Sequence, residues 1–123
     1  MPYFGQELLE RAQKKTSLAD PAYRRTLARN RRQAGAEGID AMLARHRLDA
    51  VVAPTGGPAW TIDLVNGDHF GGGFSSASAV AGYPHVTVPA GLVHELAVGV
   101  SFFAGAWTER RLLRYAYAFE QAT

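Results

Sequence analysis

The stretch GGGFSSASA, residues 71–79, places two adjacent serines, Ser75 and Ser76, behind a run of glycines. Residues of these types can present a nucleophile and cradle an oxyanion, provided that a base lies within hydrogen-bond reach. His69 or His85 could be that base, and Asp63 or Asp68 the carboxylate that orients it. The spacing argues otherwise. The Gly-x-Ser-x-Gly turn that exposes a nucleophile between a strand and a helix is incomplete, because GFSSA lacks the second glycine. Serines beside glycines are also ordinary caps and turns. No catalytic residue is assigned from this motif.

Other chemistries fare no better. A metal could draw on His69, His85, His94 and the nearby aspartates, but there is no His-x-His and no His-Glu-x-x-His. GDHFGGGF matches neither Gly-x-Gly-x-x-Gly nor a P-loop, and no lysine follows it. The chain has no cysteine, which excludes thiol catalysis, disulfides and cysteine-bound zinc. Neither a metal nor a cofactor is expected. The segment from Thr55 to Gly73 has a better use as the wall of a substrate pocket. Thr55 opens it, Trp60 and Phe70 supply apolar area, and Asp63, Asn66 and Asp68 supply directed hydrogen bonds. The competing reading is a surface loop with Trp60 pinned into the core.

The elements that would position these residues follow from patterning. Phe4, Leu8, Leu9 and Ala12 recur at helical spacing, with Glu7 and Glu10 early and Lys14 and Lys15 late. Asp20 followed by Pro21 reads as an N-cap and first-turn proline for a second helix that runs to about Arg47. Gly35 and Gly38 weaken its middle, and Ile39, Met42 and Leu43 resume its apolar stripe. His46 lies beside that stripe as a packing residue or a helix-end cation. Arg24, Arg25, Arg29, Arg31 and Arg32 form a basic run without interleaved aromatics, which suits a solvated helix face and not a nucleic-acid groove.

LDAVVAP changes the period to that of a short buried strand. A long loop follows, and loops of that length are often functional. SSASAVAG predicts a short helix with a serine cap and Gly82 as its stop, and HVTVPAG and VGVSFFAG predict two more strands joined by a turn. AVVAP and VTVP read as strands buried on both faces, pieces of a larger sheet. The last helix, begun at Thr108, has Leu112, Leu113, Ala116 and Phe119 on its apolar face. The chain of 123 residues, with 47% hydrophobic residues and a net charge of +2, is a single globular unit of α/β class with three short strands and flanking helices. No basic start followed by an apolar core marks a secretory signal, and no apolar run approaches the roughly 20 residues of a membrane helix. A soluble, cytoplasmic chain with no nucleic-acid or membrane partner is the expectation.

Several separated motifs, in order, carry a family resemblance. FGQELLERA, GIDAMLARHRLDA, LDAVVAPTGGPAW, NGDHFGGG, AVAGYPHVTVPAG, VGVSFFAGAW and LLRYAYAFEQAT together resemble the C-terminal part of the amidase signature family. The resemblance covers essentially the whole chain. It implies a portion of a large mixed sheet with helices on both faces, in a family whose members are several times longer and hydrolyse amide bonds with a Ser-Ser-Lys triad. In that family one serine attacks, and a second serine, held in a cis peptide bond, relays protons to a neutral lysine. The family's triad serines sit in a Gly-Gly-Ser-Ser-Gly-Gly-Ser signature in the first half of its chain. GGGFSSASA is not that signature, and Lys14 and Lys15 match no catalytic lysine. Ala97 also stands where the family usually has a proline before Val-Gly.

The resemblance therefore implies residues 1–123 as an incomplete domain, the C-terminal part without the catalytic part. It would come from a truncated gene or form one half of a split enzyme, inactive alone. An amide substrate would be met only in a full-length context, with a complementing N-terminal half or self-association as the expected partner. Thr55, Trp60, Asp63 and Asp68 are the pocket-wall candidates. Two other readings stand beside this one: a non-catalytic binding module built from the same scaffold, and a small hydrolase with a rebuilt Ser-His-Asp site.

Overall fold

The computed structural model describes residues 5–15 and 17–123. Phe4, expected on the first helix, lies outside the described residues. Helix α1 (Glu7–Gln13) leaves Leu8 and Leu9 exposed and buries no residue. Helix α2 (Pro21–Ala34) starts as its sequence dictates: Asp20 Oδ1 accepts the backbone N–H of Ala22 at 2.6 Å and of Tyr23 at 3.4 Å. Two of the helix's orphan donors are thereby satisfied. The five arginines of the basic run are exposed.

The glycines in the middle do not break the helix but widen it. A π-helical turn (Gly35–Asp40) joins α2 to α3 (Ala41–His46). Gly35 lies beneath the Tyr83 ring, where a Cβ would come within 3.0 Å of the hydroxyl. That hydroxyl donates to Asp40 Oδ2 at 2.6 Å. The Asp40 carboxylate favours the protonated phenol and holds the Tyr83 pKa above its usual range. His46 is exposed in the last turn of α3, so it does not pack.

Strands β1 (Val51–Pro54), β2 (His85–Val93) and β3 (Leu96–Phe103) form one antiparallel sheet in the order β1-β3-β2. Val52 and Val86 both stand opposite Phe102, and Ala53 and Thr87 both stand opposite Ser101. Period-two alternation then sorts the side chains. Val52, Val86, Val88, Val100 and Phe102 share one face, while Ala53, His85, Thr87, Ser101 and Phe103 share the other. Between Pro89 and Gly91 the register shifts by one residue, a β-bulge with Gly91 at φ 121°. Beyond it, Gly91 and Val93 point to the face of Val98, which simple alternation from Val88 would have denied them. His94 and Glu95 both take positive φ, the signature of a tight hairpin turn whose twist matches the strands.

Helix α5 (Glu109–Ala122) lies across β2 and β3 on the Phe102 face. Leu112 is fully buried, Ala116 nearly so, and Phe119 meets Phe102 edge-on at 6.1 Å. Leu113 differs from the sequence expectation: it is 58% exposed, on the margin of the stripe. Thr108 holds the N-cap position, but its hydroxyl donates to the Gly105 carbonyl instead of accepting from the helix. On the other face, α4 (Ser75–Ala81) packs against β2, α2 and the π-helical turn. Its N-cap is Phe74, with no side-chain cap bond, so the expected serine cap is absent. Gly82, at φ 76°, ends it as the sequence indicates. Nor are the strands buried on both faces here. Val52 is 57% exposed.

Leu112→Ala should cost about 2–5 kcal/mol, since a fully buried leucine leaves a cavity. Leu113→Ala should cost at most about 0.5 kcal/mol. Urea unfolding followed by far-UV circular dichroism measures both.

Candidate functional site

The segment 55–73 is a closed loop without regular strands or helices of its own. Its ends meet at an isolated bridge between Gly56 and Gly73, and Thr55 N–H donates to the Gly99 carbonyl at 2.8 Å. Phe74 N–H donates back to the Thr55 carbonyl at 3.2 Å. Gly67 and Gly72 take φ of 88° and 97°, turns that a side chain would strain.

Asp63 organises the loop's interior. Its Oδ1 accepts the backbone N–H of Val65 and of Asn66, each at 2.8 Å, and its Oδ2 accepts from Asn66 Nδ2 at 2.8 Å. His69 Nε2 lies 3.3 Å from Oδ2. The Asn66 backbone and side-chain bonds, then the Val65 and His69 bonds, hold the Asp63 carboxyl far below the usual carboxylate range. Asp68 takes a second role, accepting the Trp60 indole N–H at 2.8 Å. Trp60 also leans on Phe70, with ring centroids 5.9 Å apart. At 46% exposure Trp60 is not pinned into the core. Trp60, Ile62, Asp63, Gly67 and Asp68 line a cavity of about 340 Å³.

At the loop's base, three hydroxyls converge on one face of the sheet. Thr55 Oγ1 lies 2.8 Å from Ser101 Oγ, and Thr87 Oγ1 lies 3.1 Å from the same atom. Gly99 makes room for them: a Cβ there would come within 2.9 Å of Thr55 Oγ1. Thr55 thus joins the pocket-wall candidates to the sheet, while Trp60, Asp63 and Asp68 group within the loop.

The serines and histidines are not arranged as a Ser-His-Asp site. Ser75 and Ser76 are exposed in the first turn of α4. His69 pairs with Asp63, away from any serine among the described contacts. The serine that meets a histidine is Ser78, whose Oγ lies 2.8 Å from His85 Nδ1. Sequence reasoning missed Ser78, because a helix-to-strand contact across seven residues has no linear signature. Its one clue was a polar residue facing inward on a short helix. Ser78 is 1% exposed and donates its proton to the Ser75 carbonyl at 3.0 Å. A hydroxyl has one proton to give, so His85 Nδ1–H must donate to Ser78 Oγ, which leaves Nε2 bare. Nε2 is buried with no hydrogen-bond partner among the described residues. The His85 ring stacks on Phe103 at 5.7 Å, and burial holds its pKa below the usual value. Among the described residues, no group of three or more His, Asp or Glu could hold a metal, and no helix is long and apolar enough to cross a membrane.

An antiparallel three-stranded sheet between helices, with a closed polar loop at its base, matches the C-terminal part of peptide amidase structures. The chain's homologues are amidases, in the amidase signature family. It superposes over its whole length, at 54% identity and a TM-score of 0.94, on 25% of a peptide amidase solved with the competitive inhibitor chymostatin. The native peptide amidase of Stenotrophomonas maltophilia gives 53% identity and a TM-score of 0.87, over 98% of this chain and 24% of that one. A probable amidase from Arabidopsis thaliana is 28% identical over 98% of this chain and 20% of its own length. A glutamyl-tRNA(Gln) amidotransferase polypeptide of Pseudomonas entomophila is 34% identical over 68% of this chain and 18% of its own. The chain thus spans about a fifth of these two curated relatives. No family model matches it.

Two pH responses follow. Asp63 has a depressed folded pKa, so its contribution is complete above the ordinary value of about 3.9 and is lost as pH falls below it. The protection factors of the Val65 and Asn66 amide protons, each taken against its intrinsic exchange rate at the same pH, should fall under acid, and Asp63→Ala should give that low protection already at neutral pH. His85 is also depressed, so native stability should be level above about pH 6.5 and decline as pH falls from there. His85→Gln should flatten that decline in urea titrations between neutral pH and about pH 5.

Proposed function

We propose that this chain forms the C-terminal part of an amide-hydrolase domain, and that residues 1–123 do not hydrolyse amides by themselves. The observation that carries this reading is the full-length superposition on one quarter of a peptide amidase at 54% identity. Neither the Gly-Gly-Ser-Ser-Gly-Gly-Ser signature nor a lysine suited to act as its base occurs in these 123 residues. The attacking serine, the relay serine and the lysine would be contributed by the rest of such a domain, in this polypeptide or a separate one. The reaction would release a carboxylic acid and ammonia or an amine.

In that assembly Thr55, Trp60, Asp63 and Asp68 would form part of the substrate-pocket wall. Their bonding favours different roles for them. The Asp63 carboxylate is engaged by Val65, Asn66 and His69, and Asp68 by Trp60. Both acids would shape the wall, while the Trp60 and Phe70 rings would offer apolar contact to a substrate. The Stenotrophomonas maltophilia relative is a peptide amidase, which makes a peptide amide the first substrate class to try.

The purified chain, incubated with a C-terminally amidated peptide, should release no ammonia above buffer. Ammonia release that persists through purification and disappears in Ser75→Ala or Ser76→Ala would refute the reading and establish a self-sufficient serine site.

A further inference from the structure

The Phe102 face of the sheet is only partly covered. Helix α5 shields β2 and β3 as far as Phe119, and past Phe119 the face stays open. There Val52 and Pro54 of β1, Val98 and Val100 of β3, Val93 of β2 and Phe119 line a groove of about 500 Å³. Among the described residues, no charged side chain lines it. Val52 is 57% exposed and Val93 42% exposed at its margins, and β1 is the outer strand of the sheet on that side.

The β-bulge shows that the groove is a built feature. Without the register shift between Pro89 and Gly91, Val93 would turn to the hydroxyl-bearing face and leave the groove without one wall. An open apolar groove beside an unpaired strand edge is a surface made to be covered. The likeness to peptide amidase indicates what covers it. The matched region is 25% of that chain and superposes with a TM-score of 0.94, so three-quarters of the relative's chain lies outside the matched region and is available to cover such a face.

We propose that this groove and the adjoining β1 edge are the docking surface for the triad-bearing portion of an amidase fold, which seats an uncharged, apolar segment against Val52, Val93 and Val98. This inference rests on the proposed function and adds the surface through which the two portions join. Ser78, His85 and the hydroxyl cluster lie on the opposite face of the sheet, whereas Gly56 and Pro58 at the start of the 55–73 loop also line the groove, so the docked segment would adjoin the mouth of that loop.

The test is co-expression of the full chain, affinity-tagged, with the Stenotrophomonas maltophilia peptide amidase polypeptide lacking its matched quarter. That polypeptide is first qualified by capture with its own C-terminal quarter. The two should co-purify, and Val52→Asp or Val93→Asp should reduce the captured partner at least roughly tenfold while circular dichroism of the chain is unchanged. Leu113→Asp, at a leucine as exposed as Val52 that does not line the groove, should leave capture intact. No capture by the wild-type chain, or equal loss with Leu113→Asp, would overturn the proposal. So would a dimer of the chain alone that Val52→Asp dissociates, since the groove would then hold a second copy. Capture without peptide-amide hydrolysis would leave the docking surface standing and refute the amidase reading. Hydrolysis that is indifferent to Val52→Asp and Val93→Asp would do the reverse.

Discussion

Ser101 is a polar side chain with no exposed surface at the centre of the middle strand. A hydroxyl in that position must be hydrogen-bonded, or leave about 1–3 kcal/mol of desolvation uncompensated. Its partners come from both sides, Thr55 just after β1 and Thr87 on β2. This requirement pins the sheet. A slip of one residue would carry Ser101 to the apolar face under α5 and turn Phe102 into the hydroxyl cluster. It also pins the loop. Thr55 is held by Ser101 through its side chain and by Gly99 through its backbone, so the mouth of the 55–73 loop is set by two residues of β3.

The two faces of β3 then divide the labour. Phe102, with Val88, Leu112 and Ala116, makes the apolar cluster that holds α5 to the sheet. Phe103 faces the other way, between Phe74 at 6.2 Å and His85 at 5.7 Å, and so ties the end of the long loop to the start of β2. Tyr83 extends that side outward, because its bond to Asp40 fastens the α4–β2 corner to the π-helical turn. The polar face is the more specified of the two. Its groups have few alternative partners, whereas the apolar face is held by non-directional burial.

Much of this was legible in the residues, and the exceptions have physical causes. Asp20-Pro21 and Gly82 could be read because caps and left-handed stops are local. The three strands could be read from β-branched runs bounded by proline and glycine. The π-helical turn could not, since Gly35 and Gly38 look like weak helix, and the Tyr83 ring that packs over Gly35 comes from a residue distant in sequence. The hairpin turn at His94-Glu95 has neither Asn-Gly nor Asp-Gly, so the strands impose a conformation the turn residues do not advertise. Leu113 sits at the margin of a helical stripe, where periodicity cannot say how far the covering sheet extends. The site shows the same division. The length and composition of the 55–73 loop marked it, but which carboxylate would cap a turn and which would hold the indole depended on how the loop closes.

The glycine-serine stretch shows why residue types alone mislead. A serine nucleophile needs an accessible oxygen, and a base free to take its proton. In α4 these properties fall on different residues. Ser75 and Ser76 are exposed at the first turn, and no histidine is hydrogen-bonded to either among the described residues. Ser78 has a histidine at 2.8 Å, but it is buried, its proton is given to the Ser75 carbonyl, and the facing nitrogen of His85 is a donor, not a base. The nitrogen of His85 that could accept a proton, Nε2, is enclosed and meets no serine among the described residues. Separating these requirements converts a motif that could have been catalytic into a brace between α4 and β2, where the hydrogen bonds of Ser78 position the helix and leave no reacting group behind.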